Sequence, residues 1–130
     1  MAIKFDLPIP EELLETTENL ENKLTVCNIS YLYKQNTLLL HIPATFPDYE
    51  SLKPGQIIYF TDINNQIYLS ITEPKIKSNI TRKLQWYGNQ GPYMYFKVPI
   101  PIQLRKKFKL DKFTHAELIK ENDQYLCIFL

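Results

Sequence analysis

Five cations fall within eight residues of the segment Pro101-Ile-Gln-Leu-Arg-Lys-Lys-Phe-Lys-Leu-Asp-Lys112: Arg105, Lys106, Lys107, Lys109 and Lys112. Pro101 can open a helical turn, which sets Arg105 and Lys109 four apart on one face with Lys106 beside them. Ile102, Leu104, Phe108 and Leu110 are then left to anchor the segment to a core. Such a density of positive charge suits phosphate oxygens. Arginine grips them with a planar fork, and each lysine adds a point charge and releases counterions. The bland alternative is a solvated basic face. A second basic group, Arg82-Lys83, and the single Lys97 sit among aromatic residues: Trp86, Tyr87, Tyr93, Tyr95 and Phe96. In a strand, Met94, Phe96 and Val98 point one way and Tyr93, Tyr95 and Lys97 the other. The first set reads as core. The second is either an ordinary exposed tyrosine face or a base-stacking platform.

Catalytic chemistry finds no comparable constellation. His41 and His115 stand apart from Cys27 and Cys127 in the chain, and there is no zinc-ligand spacing, phosphate-cradling glycine loop or nucleophile elbow. The expectation is a protein that is not an enzyme, with no catalytic residue, no metal and no cofactor. Asp48 and Glu50 read as a solvated acidic patch.

The elements that must position these residues are mostly strands. Segments 26–33, 38–42, 57–61, 66–72, 79–87, 93–98, 114–120 and 124–130 are β-branched and aromatic, separated by turn residues such as Asn64-Asn65. Gly88-Asn89-Gln90-Gly91-Pro92 is the strongest turn signal. The final run, Tyr125–Leu130, reads as a strand buried on both faces, with Cys127 a small core residue. Only the beginning departs from this plan. Residues 11–24 carry Pro10 ahead of early glutamates and place Leu13, Thr17, Leu20 and Leu24 on one stripe, as an amphipathic helix would. This acidic N-terminal helix caps the β-core, binds a protein partner or docks on the basic face. In the last case, deleting residues 1–24 would tighten binding of an anionic ligand.

At 130 residues, 45% apolar and 22% charged, the chain can bury a real core without a disulfide or metal staple. No run is long enough to span a membrane, and no apolar segment follows a basic start. Two cysteines without a secretory signal suggest reduced thiols in a cytoplasmic protein. The net charge of +1 hides a polarity. Residues 1–74 hold four lysines against ten acids, and residues 75–130 hold eleven basic residues against four acids. That asymmetry implies an anionic partner for the second half, or two halves that face each other.

A shift of 58 residues lays Ile42-Pro43 on Ile100-Pro101, Leu52 on Leu110, Asn64 on Asn122 and Gln66 on Gln124. Five identities in 35 positions are few, but the features recur in the same register and imply an internal duplication. Each copy carries an apolar strand, Ile-Pro, a short segment, a Leu and a strand–turn–strand. In the second copy these are Arg82-Lys83, Ile100-Pro101, Gln103-Leu104-Arg105-Lys106 and Leu110. In the first they are Ile42-Pro43 and Leu52-Lys53-Pro54-Gly55.

This pattern resembles the swapped-hairpin AbrB family of DNA-binding domains, which includes the MazE-type antitoxins and the MraZ proteins. Over residues 26–130 the resemblance implies a mainly β fold. Two tandem AbrB-like halves would form a small β-barrel, a pseudo-dimer within one chain, with the acidic helix in front. The implied organisation is an arm at 1–25, an acidic, degenerate copy at 26–75 and a basic copy at 76–130. The resemblance further implies a transcription regulator that binds double-stranded DNA, with a homodimer as its assembly. Arg82, Lys83, Arg105 and Lys106 would contact DNA, joined on charge grounds by Lys97, Lys107 and Lys109. The hairpin before Ile100-Pro101 is longer than the family norm, and Leu110-Asp111-Lys112-Phe113 lacks the usual glycine. The rival expectation is an interaction module that keeps the fold and has lost DNA.

Overall fold

The computed structural model describes residues 24–76, 79–87 and 95–130. The expected acidic helix and the Gly88–Pro92 turn lie outside the described residues.

The described chain is mainly β. Nine antiparallel strands run in the order β1 (Leu24–Leu32), β2 (Thr37–Ile42), β3 (Ile57–Ile63), β4 (Gln66–Ser70), β5 (Ile80–Lys83), β6 (Gln85–Tyr87), β7 (Tyr95–Pro99), β8 (His115–Glu121) and β9 (Gln124–Phe129). One helix, α1 (Ile102–Phe108), and two 3-10 turns, Tyr49–Ser51 and Leu110–Lys112, complete the elements. The strand order across the sheet is β5-β3-β4-β9-β8-β1-β2-β7-β6.

Alternation decides which face each strand buries. Thr25 and Cys27 of β1 turn inward while Leu24, Val26 and Asn28 turn outward. Leu38, Leu40, Ile58, Phe60, Leu118 and Tyr125 meet inside as one core. β9 corrects the expectation of a strand buried on both faces: Tyr125 and Cys127 are buried, but Ile128 is exposed. Cys27 and Cys127 are buried free thiols, and burial pushes the Cys27 thiol up to about 12 and raises that of Cys127.

The sheet nearly closes into a barrel through one bent run. The sequence reads 79–87 as a single strand, yet it divides at Leu84. Its first piece, β5, pairs with β3, and its second, β6, pairs with β7. At the bend the Leu84 amide donates to the Gln56 carbonyl at 2.7 Å, and the Leu84 carbonyl accepts from the Gly55 amide at 2.9 Å. Gly55 can face this partner because Lys53-Pro54-Gly55-Gln56 is a type II turn. Pro54 is its second residue, Gly55 has φ +79°, and the Gln56 amide returns to the Lys53 carbonyl. β1 divides its pairing in the same way: Leu24–Asn28 run along β8 and Ile29–Leu32 along β2.

Moved along by 58 residues, the starts of β2, β3 and β4 fall on the starts of β7, β8 and β9. The pairings follow the same operation. β3·β4 maps onto β8·β9, and the pairings β2·β7 and β4·β9 map onto themselves.

Among the described residues no helix is long and apolar enough to cross a membrane.

Candidate nucleic-acid interface

The basic segment folds as α1 and the following 3-10 turn. Pro101 precedes the first helical residue, and Leu104 and Leu110 are buried as anchors. Ile102 is 41% exposed and does not share that role. The helix stops at Lys109, whose left-handed φ of 54° lets its amide close on the Arg105 carbonyl. The chain then doubles back, which returns Asp111 to Arg105.

Arg105 corrects the expectation of a phosphate fork facing water, because only 6% of it is exposed. Its Nε and Nη2 donate to the two Asp111 carboxylate oxygens at 2.9 and 3.0 Å. Its Nη1 donates to the Asn36 carbonyl at 2.8 Å, and the guanidinium carbon lies 5.5 Å from the centre of the Tyr31 ring. The Tyr31 hydroxyl donates to the Asn36 side-chain carbonyl. Arg105 therefore ties α1 to the tip of the β1–β2 hairpin. The hydrogen bonds to Asp111 raise the Arg105 pKa against the opposing effect of burial. The same bonds hold the Asp111 carboxyl below its ordinary value.

Around this lock is a concavity of about 370 Å³ whose rim carries Lys106, Lys109 and Lys112. Lys106 and Lys109 are exposed and make no ion pair among the described residues. Lys112 lies over the Phe113 ring at 5.3 Å. Lys107 points elsewhere and pairs with Asp62 of β3. The structure therefore brings Lys106 and Lys109 together, adds Lys112, and gives Arg105 and Lys107 internal partners.

The other expected contacts are spread out. Lys83 is exposed on β5 opposite Ile57, while Arg82 stands opposite Ile58 and donates to the Thr81 carbonyl at 2.7 Å. Five residue steps along β3, about 17 Å at the rise of a strand, separate Ile57 from Asp62, where Lys107 is held. Lys97 lies on β7 opposite His41. Asp48 is not a solvated acid: the Tyr125 hydroxyl donates to it, and Lys120 reaches it at 3.1 Å.

A second concavity, a groove of about 730 Å³, lies on the outward side of β1, β2 and β7. Val26, Asn28 and Ser30 supply one wall by strand alternation, and His41, Tyr49 and Tyr95 close on it from neighbouring elements. Ser30 Oγ and His41 Nε2 are 2.7 Å apart. Burial lowers the His41 pKa, as does Lys97 across the strand pair. Sequence reasoning passed over this grouping because Ser30 and His41 are joined only by the β1–β2 pairing. The single signal for it is that hairpin, whose register sets Ser30 opposite Leu39, two residues from His41.

No group of three or more His, Cys, Asp or Glu side chains able to hold a metal ion occurs among the described residues. Comparison with protein families, with characterised proteins and with solved structures finds no match for this chain.

Proposed function

We propose that this chain is a nucleic-acid-binding protein, not an enzyme, and that it grips DNA phosphates through Lys106, Lys109 and Lys112. The observation that carries the reading is the lysine rim on a segment held rigid by Arg105. The acid that lines the same concavity, Asp111, is engaged by that arginine. A polyanion therefore meets three cations on a fixed base, without a free carboxylate to repel it. Lys83 and Lys97 extend the positive surface. The reading includes a role in transcription regulation, cytoplasmic residence with Cys27 and Cys127 as thiols, and double-stranded DNA as the first ligand to try.

The same proposal takes the fold as two interlocked swapped-hairpin copies, 26–75 and 76–130. The 58-residue correspondence of strands supports it, as do the two divided strands that each serve both halves. A symmetric footprint then needs a homodimer, since the first copy has Asp48 where the second has Lys106.

Fluorescence anisotropy with a labelled generic duplex across a salt series tests the reading. Wild type should bind in the micromolar range and weaken with salt. Lys106→Ala/Lys109→Ala/Lys112→Ala should bind more weakly, and its salt slope should be shallower by about one unit for each phosphate no longer neutralised. An unchanged slope, or no binding at low salt, would refute it.

One observation favours a second reading, a module that binds protein. Leu24 and Val26 are exposed on β1 and Ile128 on β9, with β8 between them and its Glu117 paired with both Val26 and Ile128. On that reading the lysines are a solvated face, and the protein passes through heparin at moderate salt.

A further inference from the structure

The groove over β1, β2 and β7 combines two surfaces that suit a flat ligand with a polar edge. One is aromatic. Tyr95 is 53% exposed at the mouth, and Tyr49 stands edge-on to Phe96 with ring centres 5.5 Å apart. The other is polar. Asn28 offers an amide with both donor and acceptor capacity, and the Ser30–His41 pair adds a hydroxyl and an imidazole. No carboxylate lines the groove among the described residues, and Lys97 stands opposite His41 on the adjoining strand. A planar heterocycle with a polar edge finds aromatic, apolar and hydrogen-bonding groups inside the groove, and a negative charge attached to it finds Lys97 on the adjoining strand.

The lysine rim lies along the same strand. β2 begins at Thr37, next to the Asn36 carbonyl that Arg105 holds, and reaches His41 four residues later, about 13 Å at strand rise. One ligand can therefore span both places.

We propose that the groove receives an unstacked nucleobase of a single-stranded stretch, laid on Tyr95 against the Asn28–Ser30 edge, while its phosphates run past Lys97 to Lys106 and Lys109. This rests on the nucleic-acid reading above and specifies its ligand. Bases within a duplex present no free face to Tyr95, whereas those of a single strand do. His41 contributes its imidazole through the contact with the Ser30 hydroxyl.

The experiment compares three probes: a labelled oligothymidylate of about twenty nucleotides, long enough for one site; a mixed-sequence duplex of equal length; and retention on heparin. Wild type, Tyr95→Ala and Asn28→Ala are measured with each. Tyr95 and Asn28 are exposed and lie outside the buried core, and near-native melting of each variant checks that the fold is kept. The expected result is tighter binding of oligothymidylate than of duplex. Tyr95→Ala should weaken oligothymidylate about tenfold, the loss of one stacked base, with heparin retention unchanged. Equal binding of the two nucleic acids, or an oligothymidylate affinity that neither replacement alters, overturns the groove proposal and leaves phosphate binding standing. No binding of either probe and no heparin retention removes both.

Discussion

Arg105 and Lys106 are adjacent in the chain and face different surroundings. The Arg105 fork is spent on Asp111 and the Asn36 carbonyl inside the fold, while Lys106 stays in water on the concavity rim. A helical reading of the sequence puts both on the exposed side. It goes wrong because the decisive partner, Asp111, returns only after the left-handed turn at Lys109, a conformation that a lysine does not announce. Arg105→Ala leaves a carboxylate and a carbonyl without their donor and should cost about 1–3 kcal/mol in urea unfolding. Arg105→Lys should recover little, because one ammonium cannot replace a fork. The pH dependence has a definite sign. Asp111 titrates below its ordinary 3.8 in the folded chain, so its contribution is present above that value and is lost as pH falls through the folded one. In Asp111→Asn the urea midpoint should therefore fall less steeply below pH 4. Equal steepness in wild type and variant would place the pairing in doubt.

At the scale of elements, strands and hairpins were legible because their signals are local. Alternating β-branched and aromatic residues mark eight of the segments. Asn64-Asn65 marks the β3–β4 turn, where φ values of 52° and 62° fit a two-residue hairpin of the type I′ kind. Glycine suits the second of these positions better than asparagine does. Asn65→Gly should raise stability by about 0.5–1 kcal/mol, and Asn65→Val should lower it by at least as much, read from thermal or urea midpoints. The division of 79–87 at Leu84 was not legible, since it is made by hydrogen bonds from Gly55 and Gln56 nearly thirty residues earlier. The groove escaped for the same reason: its walls come from β1, β2, β7 and a 3-10 turn, each unremarkable by itself.

Across the whole molecule, the charge polarity of the sequence has a structural counterpart. Lys107 of the basic half meets Asp62 of the acidic half, and Lys120 of the basic half meets Asp48 of the acidic one. The 58-residue shift carries Asp62 onto Lys120 but Asp48 onto Lys106, so the two pairs share one corresponding position and are not copies of each other. Part of the asymmetry therefore joins the halves, and the remainder is the lysine rim. Asp62→Lys, which sets like charges together, should cost about 0.5–1 kcal/mol. Adding Lys107→Asp in the same chain should restore most of it in a double-mutant cycle. A double variant no better than the single one would show that the pair contributes nothing.

The two divided strands have a mechanical consequence. β1 belongs by sequence to the first half but runs along β8 of the second, and β5 belongs to the second but runs along β3 of the first. With β2·β7 and β4·β9, four seams of backbone hydrogen bonds cross between the halves, and the covalent link between β4 and β5 is only one more tie. A protease that nicks the folded protein between Ser70 and Ile80 should yield two fragments that still elute together at the size of the intact chain. They should come apart only in denaturant. Early separation in native buffer would mean that the link, and not the woven sheet, holds the molecule in one piece.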